Sequence, residues 1–246
     1  MKPAAPSPRF TIFGGPNGSG KSTAYVRFVS AGFDSGEYLN PGEIARSMRG
    51  PGDGGSAFGM RAGREVVERT RALVGARRSL VRESTLTGRE IIRSIERAMA
   101  AGYRVVLVFV AVSSPATTRG RIAVRVAKGG HDIPVEVQDR RFPRSIDNLR
   151  RVVRLVDVAY LLDNAGLQYR LTATVCGGRL TFLDTQGAVW AEQGTADLSR
   201  AELLKTREEA LEGLRAAEGN TGDLEVREPR GSYVAVSPQA AGAGMK

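Results

Sequence analysis

The sequence predicts an α/β protein: a doubly wound, five-stranded parallel sheet, then a β-hairpin and helix as a C-terminal appendage. Three observations predict it. Apolar strand runs alternate with amphipathic helical stretches through the first two thirds of the 246 residues. The run Val105-Val106-Leu107-Val108-Phe109-Val110 has no polar alternation, so helices are expected over both of its faces, as in a central parallel strand. A glycine-rich turn, Gly14-Gly15-Pro16-Asn17-Gly18-Ser19-Gly20-Lys21-Ser22-Thr23, joins the first strand to the first helix.

Taken in order, proline-rich residues 1–8 are expected to form a fraying N-terminus. Arg9 to Phe13 is the first strand, and a helix runs from Lys21 to about Ala31, where Gly32 stops it. Glu37 to Asn40 reads as a short strand. Asn40-Pro41 then opens a helix, with proline in its first turn and Glu43 beside the positive end of its dipole. The stretch PGDGGSAFG after Gly50 is a connector by composition. Met60 to Ala76 has helical spacing, Ser79 to Glu83 is the third strand, and Arg89 to Ala101 is a helix before the strand Tyr103 to Val112. Two arginine-rich helices follow, broken at Gly129-Gly130, and Val156 to Leu162 is the fifth strand. Leu167 to Val175 and Arg179 to Leu183 form a hairpin about Gly177-Gly178. Thr195 to Ala217 reads as one amphipathic helix striped by Leu198, Leu203, Leu204, Leu211 and Leu214, and residues 219–246 as a mobile tail. The expected organisation is therefore a core over 9–164 containing a lid at about 114–154, an appendage over 165–218, and the tail.

Composition bounds the function. The chain carries 36 basic and 26 acidic residues, a formal charge of +10, which suits polyanionic partners without naming one. With no run of four basic residues and no aromatic stacking pattern, nucleic acid is not the expected partner. No apolar run reaches membrane-spanning length and residues 1–8 lack the apolar segment of a leader, so a cytoplasmic protein without membrane contact is expected. The single cysteine, Cys176, excludes an internal disulfide and is expected to be a buried strand residue; no His/Cys/Asp cluster has metal-ligand spacing.

The chemistry concentrates in the glycine-rich turn. Gly15, four residues, then Gly20-Lys21-Ser22 matches the phosphate-binding pattern G-x-x-x-x-G-K-[ST]. Its glycines let successive N–H groups of Gly15, Pro16-flanked Asn17, Gly18, Ser19 and Gly20 line an anion nest, at the positive end of the following helix. Lys21 can reach the β- and γ-phosphates of ATP or GTP, Ser22 can take a place around Mg²⁺, and Thr23 continues the helix. The third strand delivers Ser84 and Thr85 at its end, where open α/β sheets place ligands. No guanine-selecting N-K-x-D is present. The lid arginines Arg125, Arg140 and Arg141 suit a transferring phosphoryl group, which is stabilised by positioning and charge.

These segments together carry a resemblance. The phosphate loop, Leu39-Asn40-Pro41, Glu83-Ser84-Thr85-Leu86-Thr87-Gly88, Gly129-Gly130-His131-Asp132-Ile133-Pro134, Arg140-Arg141-Phe142 and Asn148-Leu149 are similar to a short-form zeta toxin kinase over about Arg9 to Asn164. The resemblance implies a toxin of a toxin–antitoxin system. Such a kinase uses ATP or GTP with Mg²⁺ to phosphorylate the sugar of UDP-N-acetylglucosamine, and its partner is a protein antitoxin. It implies that Lys21 and Ser22 handle phosphates and metal, that Asn40, Glu83, Ser84 and Thr85 hold the acceptor, that Arg125 with Arg140 or Arg141 closes over the transferring group, and that His131 has a structural place at the lid turn. One departure matters. Where the family reads Asn-Pro-Asp-Glu this chain reads Asn40-Pro41-Gly42-Glu43, so the expected base is missing at Gly42. A general base supplies about 10²–10⁴-fold in rate. Glu43 or Asp53 as a rerouted base, a pseudo-kinase and a disarmed chain all remain open. So do another small-molecule or polynucleotide kinase of this fold and a catalytically inactive nucleotide-binding module.

Overall fold

The computed structural model describes residues 7–33, 36–48, 56–130, 132–184, 186, 188–200 and 206–218. The expectations for the N-terminal segment before Ser7, for Asp53, His131, Leu203 and Leu204, and for the tail lie outside them. In chain order the elements are β1 Arg9–Gly14, α1 Lys21–Ser30, β2 Glu37–Leu39, α2 Pro41–Ser47, α3 Ser56–Gly75, β3 Leu80–Ser84, α4 Arg89–Ala100, β4 Arg104–Ala111, α5 Pro115–Ala127, α6 Val135–Leu155, β5 Val158–Asp163, β6 Arg170–Cys176, β7 Arg179–Leu183, α7 Val189–Thr195 and α8 Arg207–Glu218.

The strands form one sheet in the order β2-β3-β1-β4-β5-β6-β7. The first five are parallel, as the alternation of elements predicts. β1 lies between β3 and β4, so the phosphate-loop strand sits beside the strand that ends in Glu83 and Ser84. Alternate residues of β4 go to opposite faces. Val105, Leu107, Phe109 and Ala111 join the core beneath α3, α4, α6 and α7, while Val106, Val108 and Val110 join the core beneath α1 and α8. That is why the run lacks polar alternation: both faces are dry.

The hairpin β6–β7 is present and its place is more intimate than an appendage. β6 pairs antiparallel with β5, and Ala173, Val175 and Leu180 share the core of the parallel strands. The helix expected over Thr195 to Ala217 is not continuous. α7 ends at Thr195, Leu198 packs against the core, and Arg200 forms a parallel bridge with Leu180 at the β7 edge before α8 begins. The leucine spacing misled there, because Leu198 packs against the core from outside any helix. Ala210 and Leu211 of α8 then seal the second face. Cys176 is a strand residue but exposed, at the last position of β6 beside the turn, so its expected burial is corrected.

Candidate functional site: a phosphate cradle under an arginine lid

Between β1 and α1 the chain turns through Gly15 and Gly20, both at positive φ, 137° and 101°. A Cβ on Gly15 would stand 2.0 Å from the Val110 carbonyl oxygen, and one on Gly20 2.3 Å from Asn164 Nδ2, so only glycine fits either position. The loop is pinned on both sides. The Gly15 amide donates to the Ser84 carbonyl (3.2 Å), tying it to the end of β3, and Ser19 N donates to Pro16 O (3.3 Å). On the other flank Asn164 Nδ2 donates to Ser19 O and the Tyr169 hydroxyl to Gly20 O, each at 2.8 Å.

α1 begins at Lys21 with Gly20 as its N-cap, no side-chain cap and no acid in its first turn. Its N-terminal amides and dipole are therefore left to an anion. Lys21 is buried, with Nζ donating to Pro16 O at 2.8 Å, so its amine is folded over the loop. Burial lowers its pKa to about 8; Glu83 opposes that fall, and Arg125 and Arg141 add to it. Ser22 and Thr23 are exposed at the mouth. The uncapped, acid-free helix start fits a polyphosphate, and the exposed Ser22 hydroxyl is the oxygen donor it offers to an accompanying Mg²⁺. Among the described residues no group of three or more His, Cys, Asp or Glu could hold a metal ion.

α5 and α6 cover the loop. α5 lies directly on the loop: a Cβ at Gly18 would meet the Thr118 carbonyl at 2.7 Å. Arg121 Nη2 donates to the Asn164 carbonyl (2.7 Å), fastening α5 to the residue that also holds Ser19. From α6, Arg141 Nη1 reaches Asn17 Oδ1 at 3.5 Å. The guanidinium pKa values of Arg125 and Arg141 fall below their ordinary value. Burial is the main cause for both, joined by Arg46 for Arg125, where Asp132 opposes, and by Arg140 for Arg141. Both remain cations. Of the two neighbours on α6, Arg141 is half-buried toward the loop while Arg140 is exposed.

Across the cradle, a buried carboxylate sits in a hydrogen-bonded frame. Glu83 Oε1 accepts a very short bond from the Tyr38 hydroxyl and a second from Asn40 Nδ2 at 3.2 Å; Asn40 Nδ2 also reaches Tyr38 Oη at 3.1 Å. Burial, then the charge and hydrogen bond of Glu83, push the Tyr38 hydroxyl far above its usual pKa, so it stays a donor. Tyr38 is held by stacking on Tyr25 of α1, with ring centroids 3.6 Å apart at 9°. Asn40 has two tasks: its Oδ1 caps α2 by accepting from Gly42 N (2.8 Å) and Glu43 N (3.3 Å). Gly42 and Glu43 are both exposed at the start of α2. Ser84 spends its hydroxyl on the Leu86 amide (3.1 Å), and Thr85 pairs with Thr87 at 2.9 Å.

The structure thus brings Glu83, Arg125 and Arg141 within electrostatic reach of Lys21, whereas Arg140 is exposed and acts on Arg141. Sequence reasoning missed Tyr38, Arg46, Asn164 and Tyr169. Tyr38 had a signal, an aromatic two residues before the Asn-Pro cap; the other three are set by long-range packing and had none.

Comparison with known proteins follows the same lines. A family model described as an AAA domain matches residues 10–152, more than half of the chain. No curated protein matches the chain. Among solved structures, AvrRxo1-ORF1:-ORF2 with ATP superposes at a TM-score of 0.60 with 18% identity, over 87% of this chain and 75% of that one. A chain of the PezAT chromosomal toxin–antitoxin system of the human pathogen Streptococcus pneumoniae superposes at 0.51 with 15% identity, over 88% and 89%. At these identities the likeness is one of fold, and it covers more of the chain than the family match does. The phosphate-loop kinase-like fold and the match over residues 10–152 place the chain in the AAA domain family.

Proposed function

We propose that this protein is a phosphotransferase that holds ATP or GTP with Mg²⁺ in the cradle around Lys21 and passes the γ-phosphate to a hydroxyl beside Glu83. The observation that carries the reading is the convergence on Lys21: one buried ammonium, one buried carboxylate and two lid arginines acting on a single loop. The nucleotide's metal would supply charge neutralisation on the phosphates, with Ser22 as its protein ligand. Lys21 and the loop amides bind the phosphates, Arg125 and Arg141 hold charge over the transferring group, and the lid excludes water. Glu83, oriented by Tyr38 and Asn40, accepts a hydrogen bond from the acceptor, with Thr85 alongside.

The acceptor class we favour is a nucleotide sugar such as UDP-N-acetylglucosamine, in a toxin opposed by a protein antitoxin. The motif order quoted above supports that choice, and the fold likeness to a chain of the PezAT system agrees with it. The fold likeness to a complex crystallised with ATP agrees with the donor. The test is a mass-resolved product assay with ATP, Mg²⁺ and a mixture of UDP-sugars and nucleosides. A phosphorylated UDP-sugar is expected; a phosphorylated nucleoside instead overturns the acceptor, and no product with any acceptor overturns the enzyme.

A second reading has one observation in its favour. Gly42 stands where the resemblance expects the base, and the nearest carboxylate on α2, Glu43, is one residue along, about 100° around the helix. A nucleotide-gated binding module with negligible turnover is the alternative. It predicts nucleotide affinity without product.

A further inference from the structure

A second concave surface lies outside the cradle, a cleft of about 610 Å³ that begins at Thr87 and Arg89 and continues along α6 past Arg144, Asn148 and Arg151. Five arginines and two aspartates line it. The aspartates do not neutralise it. Asp197 is shared by Arg150 (2.7 Å) and Arg154 (3.3 Å), which leaves Arg89, Arg144 and Arg151 without an ion-pair partner among the described residues. Asp147 also lies in the lining and makes no ion pair among the described residues.

The start of α4 makes the same demand for negative charge from a different source. Its N-cap, Gly88, offers no side-chain acceptor, and a cation, Arg89, occupies the first helical position, where the dipole disfavours positive charge. The one acid of that turn, Glu90, is spent elsewhere, accepting from Arg82 Nη2 and Ser94 Oγ at 2.7 Å each. Asn148 fixes the cleft's width by donating to the Leu86 carbonyl at 2.5 Å, which ties α6 to the loop that carries Thr87. Among the described residues the lining holds no aromatic or aliphatic side chain, and its unpaired arginine forks match the geometry of phosphate oxygens.

We infer that this cleft is a second phosphate-binding site, in which Arg89, Arg144 and Arg151 hold a multiply charged phosphate group of a small ligand bound beside the nucleotide. Two sources share that chemistry: the phosphates of the acceptor itself, entering from Thr87, or a separate polyphosphate. The site stands whether or not the cradle transfers phosphate; only the first source rests on the kinase reading.

The test is calorimetric titration of inorganic pyrophosphate into the full chain as Lys21→Ala, which weakens the cradle, with and without the exposed pair Arg144→Ala and Arg151→Ala. Pyrophosphate is expected to bind the Lys21→Ala chain and to lose at least tenfold in affinity when the pair is removed, with Arg144→Lys and Arg151→Lys recovering part of the loss because charge returns without the fork. Unchanged folding of the variants is checked by circular dichroism. Binding that is indifferent to the pair, or no binding at all, overturns the site. A further arm titrates pyrophosphate against UDP-N-acetylglucosamine in the presence of a non-hydrolysable ATP analogue. Mutual exclusion identifies the acceptor's phosphates, and simultaneous binding identifies a separate ligand. Loss of transfer in the Lys21→Ala chain leaves the pyrophosphate result untouched, so the two proposals fail independently.

Discussion

Arg141 on α6 reaches across 124 residues of sequence to place its guanidinium 3.5 Å from the Asn17 side chain in the phosphate loop. Its neighbour Arg140 is exposed. The pair therefore separates a role in transfer from general positive charge. Arg141→Ala is expected to lower turnover by about 10³-fold, and Arg140→Ala to change it by less than about threefold. Steady-state product formation at saturating ATP distinguishes them; equal effects would remove Arg141 from the site.

Lys21 gives a pH signature of two opposite signs. Its pKa is about 8 in the folded chain against an ordinary value of 10.5, so between those values the unfolded chain binds the extra proton and the fold gains stability as pH rises. Phosphate binding needs the ammonium, so nucleotide affinity falls over the same window. Thermal melts and nucleotide titrations from pH 7 to 10, each referenced to Lys21→Met, are expected to diverge in this way. Parallel trends would contradict the buried-amine account.

Gly42→Asp tests the missing base. A Cβ there would lie 3.2 Å from Asn40 Oδ1, a contact that a few tenths of an ångström relieve, and φ is unstrained. An aspartate in the first turn of α2 also suits the helix dipole. The variant is expected to fold as well as the parent and to raise turnover by about 10²-fold. An unchanged rate in a well-folded Gly42→Asp chain would show that the base lies elsewhere.

Tyr38→Phe keeps the stack on Tyr25 and removes the hydroxyl that donates to Glu83 and accepts from Asn40. Loss of a hydrogen bond to a buried charge is expected to cost about 2 kcal/mol of stability, read by urea unfolding, together with a raised KM for the acceptor and little change in that for ATP. A raised KM for ATP alone would place Glu83 on the donor side.

What could be read from the sequence was local. The phosphate loop, the cap at Asn40-Pro41 and the two-sided burial of Val105 to Val110 each follow from neighbouring residues, and the structure places them as expected. The choice between Arg140 and Arg141 was not legible, because both follow from the same arginine-rich motif and only the seating of α6 decides which faces the loop. Neither was the pairing of β6 with β5, which joins segments whose hydrophobic patterns suit any sheet edge. The break after Thr195 escaped because the bridge of Arg200 to Leu180 is one residue pair, which leaves no periodic trace.

The clasp formed by Asn164 and Tyr169 on the backbone of Ser19 and Gly20 sets a schedule for the protein's birth. The glycine turn leaves the ribosome early, yet its far wall is translated about 150 residues later, so a nascent chain carries the whole motif long before it owns a rigid pocket. The clasp on the loop is thus absent until synthesis has passed the fifth strand. A truncation that ends with the family match at residue 152 inherits the signature without the clasp.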